Sequence, residues 1–236
     1  LKIVTWNCNG ALRKKLAKLK TYDADIYVIQ ECENPAETKH DEYTVWAENH
    51  LWIGDTKNKG IGIFAKKEID LKQLNWSDHY KGKRVKHFLP CVVNDDFNLL
   101  AIWTHQNNSS SYAYIGQLWK YLQMHKSKLN KSLLIGDFNS NKIWDKPRRH
   151  WNHSDVVAEL KELGIQSFYH LYFKENFGVE TQPTFFLTKK LDKTYHLDYI
   201  FGSKEFSRNL KNLELGKVEQ WIKISDHLPI FCELNR

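Results

Sequence analysis

The sequence predicts a single α/β domain. Short, wholly apolar runs at residues 26–29 and 133–135 are too brief for helices and read as buried strands, while leucines elsewhere recur at helical spacing. The 236 residues, 42% of them hydrophobic, could build one large α/β or all-β domain or two small ones. No internal repeat or low-complexity linker divides the chain, and aromatic residues are spread along it, which favours one domain over residues 1–236.

Residues 2–6 alternate and are β-prone, and the turn residues Asn7, Asn9 and Gly10 break this first strand. Leu12, Leu16 and Leu19 then mark an amphipathic helix whose outer face carries Arg13, Lys14, Lys15 and Lys18. The second strand, 26–29, runs directly into Gln30 and Glu31. A carboxylate straight after a buried strand is either a salt-bridge partner or a ligand for a hard cation such as Mg²⁺. Residues 60–65 read as a strand with glycines where another backbone comes close. Residues 88–93 and 98–103 read as antiparallel strands about a turn at 94–96.

The second of that pair delivers Thr104 and His105, and a histidine at a strand end can protonate a leaving group or bond a phosphoryl oxygen. After a polar loop at 107–111, Tyr114, Leu118, Tyr121, Leu122 and Leu129 predict a long helix. It leads to the strand 133–135, after which Gly136 turns the chain so that Asp137 and Asn139 emerge at the strand's end. A carboxylate and a carboxamide one residue apart can aim into one pocket, or simply close an Asx turn.

Residues 143–151 alternate cations with indoles. Lys146, Arg148 and Arg149 suit phosphates, and Trp144 and Trp151 suit base stacking, so this is the best nucleic-acid contact segment, or else a basic surface loop with its tryptophans tucked inward. Ser154 is expected to cap a helix with Val157, Leu160 and Leu163 inward and Gly164 at its end. Residues 182–186 read as an ordered loop entering a strand and able to line a cleft. Residues 195–201 form a strand whose carboxylate, Asp198, needs a partner among bulky apolar residues. Asp226-His227, stiffened by Pro229 before a final strand, supplies a candidate imidazole and a cation ligand.

Formal charge is +7 with a pI near 9.0, which fits a polyanionic partner. Cys8, Cys32, Cys91 and Cys232 fall singly in apolar runs, without metal spacing, and are expected to be buried free thiols of a reducing, cytoplasmic compartment. No run of eighteen apolar residues and no N-terminal h-region is visible, so no stable membrane insertion is expected.

Taken in order, Trp6-Asn7-Cys8-Asn9-Gly10, Gln30-Glu31, Thr104-His105, Gly136-Asp137-Phe138-Asn139, His196-Leu197-Asp198-Tyr199 and Ser225-Asp226-His227-Leu228-Pro229 resemble the signature of the endonuclease/exonuclease/phosphatase superfamily. The resemblance runs from Asn7 to Pro229. It implies a DNase I-like four-layered α/β sandwich, two packed mixed sheets flanked by helices, and Mg²⁺- or Mn²⁺-dependent hydrolysis of a phosphoester. By that carry-over Glu31, Asn7 and Asp226 hold the metal, Asp137 orients or deprotonates water, and Asn139 holds a phosphoryl oxygen. His227 contacts the scissile phosphate with Asp198 fixing its tautomer, and His105 joins the catalytic set.

Two positions sort the subfamilies. Asn9 resembles exonuclease III, whereas some abasic-site endonucleases carry an acid there. Thr104-His105 is similar to DNase I, sphingomyelinases and deadenylases, where the exonuclease III branch tends to place Tyr. From the motif set, the +7 charge and the Trp/Arg loop at 144–151, the expected activity is a monomeric DNA endo- or exonuclease, while Thr104-His105 favours the first alternative. The alternatives are an RNase or deadenylase-like nuclease, a phosphatase of a small phosphoester or lipid headgroup, and a binding module without catalysis.

Overall fold

The computed structural model describes residues 1–107 and 109–235. Its strands build two six-stranded sheets. The first runs Leu210–Leu215, Ile230–Leu234, Lys2–Asn7, Ile26–Cys32, Lys59–Ala65 and His50–Thr56. The second runs Gln166–Ser167, Asp198–Gly202, Ser132–Asp137, Phe97–Trp103, Phe88–Val93 and Leu71–Gln73. Each sheet carries one parallel pair at its middle, Lys2–Asn7 beside Ile26–Cys32 and Phe97–Trp103 beside Ser132–Asp137, between antiparallel neighbours. Parallel neighbours need a crossover, and here the helical turns after Asn7 and the helix Ile115–His125 provide it.

Side chains alternate across each sheet, so every strand feeds two cores. Ile3, Ile26, Val28, Leu99, Ala101, Leu133, Ile135 and Ile200 meet between the sheets. On the outer face of the first sheet, Val4, Trp6, Tyr27 and Ile29 pack against Leu12, Leu16, Leu19, Tyr43 and Trp221 from the flanking helical segments. Outside the second sheet, Leu100, Ile102, Leu134 and Phe201 pack against Leu118, Leu122, Val156 and Leu160. The result is a four-layered α/β sandwich, and the strands that read as continuous apolar runs are the ones covered on both faces.

The hairpin of Phe88–Val93 with Phe97–Trp103 falls where expected, and all four cysteines are buried and free. Several local expectations shift. The first helix is broken into one α turn, Leu16–Leu19, between the 3₁₀ turns Leu12–Lys14 and Lys20–Tyr22. Its start is held by the Glu33 carboxylate, which accepts from the backbone of Leu12 and Arg13, so tertiary contact replaces helix continuity. The long helix is Ile115–His125, leaving Tyr114 exposed before it and Leu129 beyond a 3₁₀ turn.

The helix His153–Glu162 begins before Ser154. Asn152 is its N-cap, boxed by Asp155, which accepts from the Asn152 N–H at 2.7 Å, and Asp145 accepts from the His153 and Ser154 N–H groups, so Asn152 and two carboxylates start it instead of a serine. Val156 takes the fully buried position and Val157 and Leu163 are half-buried; Gly164, at φ 72°, ends the helix. The strand expected over 195–201 is cut in two. Thr194–Tyr195 pairs with Phe185–Phe186, and only Asp198–Gly202 joins the second sheet, because Thr184 Oγ1 takes the backbone N–H groups of Leu197 and Asp198. Of the polar loop at 107–111, Asn108 lies outside the described residues.

Candidate active site

At one end of the sandwich the inter-sheet layer changes from apolar to polar. Ile3, Val28 and Ile135 give way along their own strands to Asn7, Gln30 and Asp137, and Ile200 gives way to Asp198. Asp137 and Asp198 are directly opposite in the antiparallel pair, as Asn7 and Gln30 are in the parallel one. Strand register alone therefore gathers these four polar side chains at one mouth.

Glu31 reaches the same mouth by a different device. The pairing of Ile26–Cys32 with Lys59–Ala65 shifts register between Gln30 and Cys32, and Glu31 sits there at φ 60°. This bulge takes Glu31 out of the alternation that sends Tyr27 and Ile29 outward. Glu31 Oε1 then accepts from Asn7 Nδ2 at 3.2 Å, and the same Nδ2 donates to Asp137 Oδ2 at 3.0 Å. Asn7 Oδ1 is occupied by the Asn9 N–H, so the amide bridges two carboxylates through its nitrogen.

Asp137 is fully buried. Its Oδ1 accepts from the Asn139 backbone N–H and its Oδ2 from Asn139 Nδ2, both at 2.8 Å, while that Nδ2 also donates to Thr104 O. Burial, then the nearby Asp198 charge, pushes the Asp137 carboxyl up to about 7 against the lowering pull of His227. Gly136 makes the turn possible. It lies at φ 143°, and a Cβ there would collide with Ile102 O.

His227 Nδ1 pairs with Asp198 Oδ2 at 2.8 Å, both side chains buried. Burial alone would lower the imidazole, but the Asp198 and Asp137 carboxylates outweigh it and raise His227 to about 9. The loop is clamped by its backbone. Trp6 Nε1 donates to His227 O, Ser225 Oγ accepts from His227 N and donates to Asn7 O, and Leu228 N donates to Thr184 O. Asp226 is half-buried, and its carboxylate takes no hydrogen bond among the described residues.

Ligand atoms of Asp137, Asp198 and His227 lie within 4.8 Å of one another, a possible acidic metal site. Asp198 Oδ1 is buried without a hydrogen-bond partner among the described residues. Against the single imidazolium of His227, the buried Asp137 and Asp198 carboxylates, the second with an orphaned oxygen, leave negative charge unmatched. A hard divalent cation fits that imbalance and the oxygen chemistry of Glu31 and Asp226.

The remaining sequence-predicted residues lie on the rim. His105 is exposed, its ring 5.3 Å from Trp103 and bonded through Nδ1 to Gln106 O, with no bond to Asp137 or His227. Its neighbour Thr104 is the buried member, donating to Phe138 O. Trp144 is 42% exposed and Arg148 is exposed at φ 64°. Arg149 is turned inward onto Asn152 Oδ1 and Trp144 O, and the Trp151 ring lies 5.1 Å from the Lys120 ammonium.

Three features were not visible in the sequence as site residues. Lys59 pairs with Glu31 Oε2 at 2.8 Å, and its only sequence signal was its place just before a buried strand. Thr184 fixes the Asp198 backbone from within a segment expected only to line a cleft. Phe185, from that same cleft-lining segment, and Tyr195 extend the site outward. The rings of His227 and Phe185 are 4.7 Å apart, Phe185 and Tyr195 6.4 Å, and Tyr195 and Trp144 4.9 Å.

A two-sheet sandwich with such a buried carboxylate and imidazole site at one mouth defines a DNase I-like phosphoesterase fold. The chain belongs to the Endonuclease/Exonuclease/phosphatase family, whose model matches residues 4–227. Members of this family are phosphoester hydrolases dependent on divalent metal. Among solved structures, an AP endonuclease from Archaeoglobus fulgidus is similar at TM-score 0.72 and 17% identity, over 100% of both chains. A 3' phosphatase, NExo, from Neisseria bound to a product DNA hairpin gives 0.70 and 17%, again over 100% of both. The endonuclease domain of TRAS1, a telomere-specific non-LTR retrotransposon, gives 0.63 and 13% over 99% of this chain and 97% of that one. At these identities the likeness is one of fold. No curated protein matches the sequence. No helix among the described residues is long and apolar enough to cross a membrane.

Proposed function

We propose that this protein is a Mg²⁺- or Mn²⁺-dependent nuclease that hydrolyses DNA phosphoesters, acting as one domain and as a monomer. Asp137 positions the attacking water and takes its proton, a task suited to a carboxyl raised to about 7. Asn139 would hold a phosphoryl oxygen through Nδ2 once that amide gives up one of its present bonds, to Asp137 Oδ2 or to Thr104 O. His227, kept protonated by Asp198, brings positive charge to the phosphate, where charge spreads over the equatorial oxygens. Glu31 would hold the metal with Asp226 beside it, and Asn7 would join once its amide is turned to offer Oδ1; the ion when bound neutralises phosphate charge and lowers the pKa of water. His105 on the rim is left to contact the leaving strand.

The observation that favours a polymer over a small phosphoester is the run of rings from His227 through Phe185 and Tyr195 to exposed Trp144. Aromatic rings leading away from a phosphate site offer faces for bases or an extruded sugar. Exposed Arg148 and Lys146, with the +7 charge, supply the phosphate-facing cations, while Arg149 and Trp151 hold the loop's shape.

The test is a panel of single-stranded, duplex, nicked and abasic DNA, RNA of the same sequence and small phosphomonoesters, each with Mg²⁺ or Mn²⁺ and with EDTA. Metal-dependent DNA cleavage is expected. Cleavage of RNA alone would make it an RNase or deadenylase-like enzyme, phosphate release without polymer cleavage a phosphatase, and inertness on every substrate would end the enzymatic reading.

A further inference from the structure

Resting on the metal role proposed for Glu31, we propose that Lys59 is a specificity-determining residue. By occupying Glu31 Oε2 it leaves Glu31 a one-oxygen ligand and so favours a small octahedral cation over Ca²⁺. The geometry is asymmetric. Glu31 Oε2 is 2.8 Å from Lys59 Nζ, while Oε1 faces the site beside Asn7 Nδ2 at 3.2 Å. Lys59 opens the strand Lys59–Ala65, directly against the bulge that turns Glu31 inward, and its ammonium also lies 5.8 Å from the Trp103 ring centroid. The carboxylate side chain is 15% exposed and the lysine 49%, so the pair closes the solvent side of Glu31.

Ca²⁺ takes six to eight oxygens and commonly a carboxylate in bidentate fashion, whereas Mg²⁺ keeps an octahedral shell and one oxygen from each carboxylate. Bidentate use of Glu31 would require a dication to displace the ammonium. One-oxygen use through Oε1 leaves the ion pair intact. Lys59 therefore taxes the larger ion more than the smaller one.

The experiment is calorimetric titration of EDTA-stripped, dialysed protein with Mn²⁺ and, separately, Ca²⁺, for wild type, Lys59→Met, Lys59→Arg and Glu31→Gln. Lys59→Met is expected to tighten Ca²⁺ roughly tenfold and Mn²⁺ only about twofold, because it frees the second oxygen as well as removing a charge. Lys59→Arg, which can hold Oε2 through its own N–H groups, is expected to keep the wild-type ratio of the two affinities. Equal tightening of both ions in Lys59→Met would reduce Lys59 to a plain charge effect and overturn the proposal, as would no change or a Met-like ratio in Lys59→Arg. Glu31→Gln is expected to weaken both ions. Unchanged Mn²⁺ affinity there would instead remove Glu31 from the metal site, a failure of the functional reading that the Lys59 variants by themselves cannot produce.

Discussion

Glu31 reaches Asn7, Oε1 to Nδ2 at 3.2 Å, because the backbone at Glu31 is left-handed one residue before its strand ends. A regular strand would send residue 31 outward with Tyr27 and Ile29. The bulge therefore stores backbone strain to deliver a carboxylate, a common arrangement beside functional sites.

Comparison of Glu31→Ala with Glu31→Gly reads that strain. Both lose the Lys59 and Asn7 contacts, but glycine tolerates φ 60°, so the Gly variant is expected to be more stable than the Ala variant by about 1 kcal/mol in urea unfolding. Equal stability would mean that position 31 is unstrained. Both variants are expected to require far more metal for activity, as titration of turnover against Mg²⁺ would show.

Asp137→Asn keeps the shape of the side chain and removes the proton acceptor. Turnover is expected to fall by about 10²-fold or more while the circular-dichroism spectrum and cooperative unfolding persist. Wild-type rates in this variant would take Asp137 out of the chemistry.

Gly136→Ala places a Cβ against Ile102 O, backbone that cannot swing aside, at a φ that L side chains rarely adopt. A loss of at least ~2 kcal/mol of stability is expected, with loss of activity, since the Asp137 turn moves with it. A variant as stable as wild type would contradict the close approach of these two strands.

Between about pH 6.5 and 4 the acid limb of stability is expected to draw on histidines outside the active site, and below that on carboxylates such as Glu180, held down to about 2. Burial pushes His153 down to about 4, opposed by the Asp145 and Glu180 carboxylates and reinforced by His170 and His196; His87 is likewise lowered to about 4 by burial. A histidine whose folded pKa lies below its unfolded value near 6.5 is neutral in the fold, so the unfolded chain binds more protons below that pH. The contribution is fully present above about 6.5 and is lost as pH falls toward about 4. Replacing His153 by Phe, beside Phe177 and Tyr199, is expected to flatten part of the fall of the urea midpoint across this window, with His87 and the other histidines lowered by burial, His50, His125 and His196, contributing further. An unchanged slope would show that His153 titrates normally.

Much of the fold was legible because it is written in local pattern. Runs such as 26–29 and 133–135 could satisfy their apolar side chains only between two layers, and the turn at 94–96 could only join neighbours. The members of the site were legible as short polar groups at strand ends, from Asn7 and Glu31 to Asp198 and His227. What failed locally did so where distant chain intervened. Glu33 breaks up the first helix, Asn152 with Asp145 and Asp155 starts the helix expected to be capped by Ser154, and Thr184 splits the strand at His196 and Leu197.

By itself, then, the sequence determined the alternation of buried strands and amphipathic helices and the identity of the polar residues at their ends, because side-chain period and turn chemistry act over a few residues. Only the tertiary structure decided which of those residues meet. Register placed Asp137 opposite Asp198, a bulge turned Glu31 toward Asn7 and gave its second oxygen to Lys59, and His105 was left on the rim. These outcomes depend on pairing between segments many residues apart and on one backbone dihedral, quantities that no local pattern of residues specifies.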